Sequence, residues 1–234
     1  MTDKSDHSHL ITWPYDIWLA RGAILVIAAL QWYLINDFSV GPRWFVPMFE
    51  LLLLIPLSIA TAWTIDKVKS ATQKHHFIEV ANYRQGIRVA AIVLTALVTL
   101  ANFASLFALL HALLSGKAGA APSLLLDAIN IWITNVIAFA LWFWNMDRGG
   151  PALRGLHTSG KEDFQFPNMT SGKTKNWFPG FVDYLFLAFT NATAFSPTDT
   201  LPLTQRAKLL MMAQAAVSLL VITLVAARAV NILN

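Results

Sequence analysis

The chain contains no cysteine, which excludes disulfides, thiolate-bound metals and cysteine nucleophiles together. Charge is scarce as well: Asp, Glu, Lys and Arg supply only 13% of the 234 residues, against about 25% in a soluble domain. With 56% hydrophobic residues and a mean hydropathy of +0.53, the composition places the chain in a bilayer. Catalytic patterns are missing too. There is no glycine-rich phosphate loop, no Rossmann pattern and no set of nucleophile, base and orienting group. The chain therefore reads as a non-enzyme with no cofactor and no resident metal. The net charge of +4 suits loops that touch anionic lipid, not nucleic acid.

What is present is a series of apolar runs long enough to count as spans, about 20 residues each. Ile17 to Ile35 is framed by Trp13, Trp18, Trp32 and Tyr33, as interfacial aromatic belts are. Trp44 to Ile65, Ile87 to Leu114 and Ser123 to Trp144 follow, and about Gln205 to Asn231 is the last. Between Trp177-Phe178-Pro179 and that last span, Phe181 to Phe195 is apolar but covers only about 22 Å as a helix, too little for a crossing. The expected fold is all-α and polytopic, with about five spans and a re-entrant pore-loop helix before the last. Residues 1–145 form a four-span membrane region, 146–178 a polar surface loop and 179–234 a pore-loop module. Met1 to His9 is polar, and no small-residue cleavage site follows the first apolar run, so no removable signal peptide is expected. A multi-pass protein of the cell inner (plasma) membrane is the reading.

Lysine and arginine set orientation. Lys67, Lys69, Lys74, Arg84 and Arg88 lie between the second and third spans, and Arg148, Arg154, Lys161, Lys173 and Lys175 follow the fourth; the other two loops hold only Arg43 and Lys117. Both rich loops then face the cytoplasm, with the N-terminus inside. Three arrangements of the C-terminal part follow: a loop entering from the cytoplasm with the C-terminus outside, a complete sixth crossing with both termini inside, or an outside N-terminus with the loop entering from outside.

The turn after the half-length helix reads Thr193-Ala194-Phe195-Ser196-Pro197-Thr198-Asp199, then Thr200-Leu201-Pro202-Leu203-Thr204. It resembles the pore signature of potassium channels, in which a pore helix leads to Thr-Thr-Val-Gly-Tyr-Gly-Asp and x-x-Pro-x-Thr before an inner helix. The alignment has no gap: Thr193 falls on the first filter threonine, Asp199 on the closing aspartate, Pro202 and Thr204 on Pro-x-Thr, and Ser218 on the glycine hinge of many such channels. Arg206 and Lys208 fall where that family often carries basic residues. The resemblance covers Asp183 to Asn231. The whole chain, with Trp144-Asn145-Met146-Asp147-Arg148-Gly149-Gly150-Pro151, also resembles a group of bacterial integral membrane proteins of uncharacterised function. Here Ser196-Pro197-Thr198 stands in place of Gly-Tyr-Gly. Proline fixes its own backbone and restricts the residue before it, so a carbonyl ladder of the potassium-channel kind is not expected.

The resemblance implies a homotetramer that passes monovalent cations, with oxygens of Thr193, Ser196 and Thr198 in the filter region, a ring of Asp199 carboxylates, and Gln214 and Ser218 on the inner-helix face. A non-conducting scaffold or partner subunit with a pore-like fold is the alternative, with its polar stripes satisfied inside one protomer. In that case Asp199 and Pro202 are ordinary turn and helix-start residues. Glu50 and Asp127 are costly at membrane depth and call for partners. Arg21 is the candidate partner for Glu50. Asp127, Asn130 and Thr134, at i, i+3 and i+7 with Asn135 beside them, mark one helix face that suits an ion path or interhelical hydrogen bonds. Proton-coupled transport through Glu50 and Asp127 is a third reading, which no internal repeat supports.

Overall fold

The computed structural model describes residues 14–34, 48, 51–52, 55, 74–115, 121–151, 162–170, 177–193 and 199–233. Its main helices are α1 (Pro14–Leu34), α2 (Lys74–Leu114), α3 (Ala121–Met146), the short α4 (Pro167–Thr170), α5 (Phe181–Thr193) and α6 (Gln205–Leu233), with a tight 3-10 turn at Asp147–Gly149. Two short strands, β1 (Phe164–Gln165) and β2 (Leu201–Pro202), pair antiparallel with Phe164 opposite Pro202 and Gln165 opposite Leu201. Among the described residues, three helical stretches are long and apolar enough to cross a membrane: Gln85–Leu114, Leu124–Gly149 and Gln205–Ala227. The protein is thus helical and membrane-type. At 21 residues α1 has the length, but Asp16, Arg21 and Gln31 dilute its apolar character. The expected span Trp44 to Ile65, and Glu50 within it, lie outside the described residues but for four positions.

Helix α3 is the centre. In its apolar window 61% of the residues are buried, against 33% for α2 and 22% for α6, and it packs on α1, α2, α5 and α6. The sequence bears this out, because Leu124 to Trp144 is strongly apolar and even its polar residues Asn130, Thr134 and Asn135 are buried, as on a helix surrounded by others. On the outer helices Leu100, Phe107, Leu209, Met212 and Leu219 point outward, a surface suited to lipid tails. One buried cluster joins α1, α3 and α5 with Phe164 and Phe166; a second, at the other end, joins Leu106 and Leu109 of α2, Leu124, Ala128 and Ile131 of α3, and Val217 and Val221 of α6.

The contacts also fix directions. Trp142 donates to Thr99 at 2.9 Å while Leu124 sits near Leu109, so α2 and α3 are antiparallel. Helix α5 starts beside the end of α3, where Phe181 stacks edge-on against Trp144 at 5.4 Å. Its first N–H groups are satisfied by carboxylates, as the positive end of a helix dipole favours. Phe181 N–H donates to Asp16 Oδ1 at 3.2 Å, and Gly180 N–H to Asp183 Oδ2 at 2.7 Å. A Cβ on Gly180 would stand 2.8 Å from Asp16 Oδ1, so a side chain there would have to push the Asp16 carboxylate aside.

Helix α6 begins at that same end and runs parallel to α5. Near the start, Tyr184 of α5 and Arg206 of α6 are tied to a common pair of aspartates, Asp147 and Asp163; deeper, Asn191 of α5 bonds to Met211 and Gln214 of α6. A parallel helix pair means that the chain regains its starting end between them, and residues Leu201 to Thr204 do lie back beside β1 and Asp163. The described part of the polar loop contributes β1, α4 and the two buried phenylalanines Phe164 and Phe166.

Candidate functional site

Two polar clusters hold the α3, α5 and α6 trio, one at its polar end and one near its middle. The end cluster starts from the turn after α3. Arg148, Gly149 and Gly150 have φ of 53°, 79° and 76°, so the chain reverses sharply at Asp147. That reversal leaves the Asp147 side chain completely buried, where an unpaired carboxylate would be prohibitive. It accepts from the Tyr184 hydroxyl at 2.5 Å and from the N–H of Asp163 at 2.7 Å and of Phe164 at 3.4 Å. Asp163, also fully buried, accepts Arg206 in a two-point fork at 2.7 and 2.6 Å and the Thr204 hydroxyl at 2.5 Å. Its carbonyl takes the Leu203 N–H at 2.8 Å. Thr204 in turn accepts the Ala207 N–H at 3.3 Å, capping α6. The helix cap is therefore Thr204, while Pro202 lies in β2. Beside the cluster, Arg148 pairs with Glu162 at 2.9 Å and lies over the Phe178 ring.

Aromatic rings fill the space beneath. Phe164 lies 5.2 Å from Phe143, and Phe166 packs against Tyr184 at 5.2 Å and Trp177 at 6.0 Å, all edge-on. Such geometry aligns ring edges with ring faces and contributes about 0.5–1.5 kcal/mol a pair beyond burial.

The second cluster is central to the trio. Gln214 is fully buried; its amide donates to the Ala188 carbonyl at 2.7 Å and accepts Asn191 at 2.8 Å. Asn135 of α3 donates to Ser218 Oγ at 2.9 Å and to the Gln214 carbonyl at 3.3 Å. Asn130 is buried and meets Thr134 at 3.5 Å on its own helix. Gln214 and Ser218, expected on an inner-helix face along an ion path, thus turn toward α3 and α5 of one chain. Both partners of the Gln214 amide are supplied by α5, as a buried amide requires. We expect Gln214→Leu to lower stability by about 1–3 kcal/mol, since it removes two bonds of about 0.6–1.7 kcal/mol each at membrane depth; Ser218→Ala should cost less than about 1 kcal/mol. The denaturation midpoints of the two variants in mixed micelles measure the difference.

The remaining sequence candidates are more dispersed. Thr193 caps its helix internally, donating to the carbonyls of Phe189 and Thr190 at 3.0 and 3.2 Å. Asp199 is exposed at the polar end. Asp127 is half-buried, one turn before Asn130. Ser196, Thr198 and Glu50 lie outside the described residues, so the pairing expected between Glu50 and Arg21 does as well. Among the described residues no group of three His, Cys, Asp or Glu could hold a metal ion. A groove of about 460 Å³ between α3 and α5 is lined by Trp132, Ile133, Val136, Ile137, Val182, Leu185, Phe186 and Phe189, which offer no general acid, base or nucleophile.

Sequence reasoning did not single out Asp163, Tyr184 or the role of Asp147. A signal exists for the first: Phe164-x-Phe166 alternates apolar and polar positions within a polar loop, the mark of a short half-buried strand. No family model, no curated protein and no solved structure matches the chain.

Proposed function

We propose that the chain is a multi-pass inner-membrane protein of about five spans whose α5, return limb and α6 form a pore-loop module, several copies of which surround a path for monovalent cations. The observation that carries this reading is the parallel pair α5 and α6, both starting at the polar end. A helix of 13 residues extends about 20 Å, and Leu201 to Thr204 lie back at its start. A complete crossing between α5 and α6 would instead bring α6 in from the opposite end. Arg148 lies at the polar end, and Lys74, Arg84 and Arg88 lie in the first part of α2, which runs antiparallel to α3; in sequence, Arg154, Lys161, Lys173 and Lys175 fall between α3 and α5. The positive-inside rule then makes that end cytoplasmic, so the loop enters from the cytoplasm and the C-terminus is outside. Homotetramer assembly belongs to the same proposal, by resemblance to potassium channels. Thr193 and the exposed Asp199 carry the cation chemistry, with Ser196 and Thr198 between them in sequence.

Purified protein in liposomes should pass potassium or rubidium. Asp199→Asn should lower that flux about fivefold, since about 1 kcal/mol of attraction is lost per charge met at 4 Å in water. Well-folded protein that conducts neither ion at any voltage would rule the reading out. In that event the second reading stands, a non-conducting membrane scaffold with a pore-like fold, which is favoured by one observation: Gln214 and Ser218 are satisfied inside a single protomer.

A further inference from the structure

The return limb, Asp199 to Thr204, and the strap that holds it, Asp163 to Phe166, are anchored very differently. The strap is fixed: Phe164 and Phe166 are buried among Phe143, Tyr184 and Trp177, and Asp147 takes the N–H groups of Asp163 and Phe164. On the limb Asp199, Leu201 and Leu203 are exposed. Leu201 to Thr204 are tied to the strap through the β1–β2 ladder, the Leu203 N–H on the Asp163 carbonyl, and the Thr204 hydroxyl and Arg206 fork on the Asp163 carboxylate. A ladder two residues long is marginal alone. Charge-assisted bonds to a buried carboxylate are the strong part of the attachment, and the Arg206 half of the pair is 54% exposed, so water and salt reach it.

We propose that Asp163 is the catch of a latch: the strap is a fixed post, and the limb swings away from it when the bonds from Thr204 and Arg206 let go. This rests on the reading of the limb as the return of a pore loop, and it makes Asp163 a positioning residue for the mouth that carries Asp199. The deeper cluster at Gln214 keeps α3, α5 and α6 together during the swing, so opening is local.

The natural absence of cysteine gives a direct test in full-length protein reconstituted in nanodiscs. Thr200 is buried on the limb, so Thr200→Cys should react slowly with a membrane-impermeant maleimide. Adding Asp163→Asn should raise the labelling rate at least about tenfold, the change in an opening equilibrium when a bond to a charged group is lost. Arg206→Gln should act in the same direction, and it serves where Asp163→Asn does not fold. An unchanged rate in folded protein carrying either variant would overturn the latch, as would fast labelling of Thr200→Cys alone.

The pair Gln165→Cys and Leu201→Cys supplies the functional arm. Opposed residues of an antiparallel ladder sit about 4.5–5.5 Å apart at Cα, within the range a disulfide spans. Oxidation should staple the limb shut and stop cation flux, and a reductant should restore it; flux that continues in fully stapled protein overturns the gating role. If the unstapled protein conducts nothing, the pore reading fails, while the labelling ratio still decides the latch.

Discussion

Gly150→Ala should lower stability by at least about 3 kcal/mol. With φ 76° and ψ 178°, Gly150 occupies a backbone region that is essentially glycine's alone, and an L side chain there costs about 1–3 kcal/mol by itself. Contact adds to this. A Cβ would stand 2.6 Å from the Asn145 carbonyl oxygen, which belongs to the last turn of α3 and cannot retreat without disturbing the helix end. The displaced turn is the one that buries Asp147 and donates the Gly150 N–H to its carbonyl at 2.8 Å. Gly86→Ala is the contrasting variant: its Cβ meets nothing within 4 Å, and inside α2 it should gain about 0.5–1 kcal/mol. Thermal unfolding in detergent, followed by size-exclusion of the surviving folded fraction, should move the two variants in opposite directions. Equal tolerance of both would show that the turn after α3 is not built as described.

Asp147→Ala is expected to cost about 3–5 kcal/mol, because one truncation removes the carboxylate that accepts from the Tyr184 hydroxyl and from the N–H groups of Asp163 and Phe164. Each unsatisfied donor costs about 1–3 kcal/mol. The loss should also be strongly non-additive with Tyr184→Phe. That substitution alone breaks a bond to a charged group, worth about 1.5–3 kcal/mol, but in the Asp147→Ala background that bond is already gone and the substitution should cost much less. A double-mutant cycle in chemical denaturation reads this coupling directly. Simple additivity would mean that the carboxylate and the phenol do not meet in the folded protein.

The elements differ in how far sequence reveals them. Helices α2, α3 and α6 are legible because each carries a predominantly apolar run of membrane length, and α5 because its run stops short between polar segments. The helix-end role of Asp183 is legible too, as a carboxylate in a first turn beside a glycine. The strap is not, since strands of two residues leave almost no periodicity and derive their order from Phe143, Tyr184 and Trp177, far away in the chain. Gln214 and Ser218 show the same limit from the other side. Their spacing puts them on one helix face, but which neighbour that face meets depends on the direction of α5.

By itself the sequence determined the solvent of this protein, its helical content, the half-length of α5 and the exclusion of thiol chemistry, because all of these follow from composition and run length in one stretch of chain. Only the tertiary structure decided that α5 and α6 run parallel, that Asp147 and Asp163 join the ends of α3, α5 and α6, and that Gln214 is held within one protomer. Those facts depend on contacts between residues such as Asp163 and Arg206, 43 positions apart. No local pattern encodes such a pairing: the energy that selects it is the cost of leaving a buried carboxylate or amide without a partner, and it is felt only once the helices have packed.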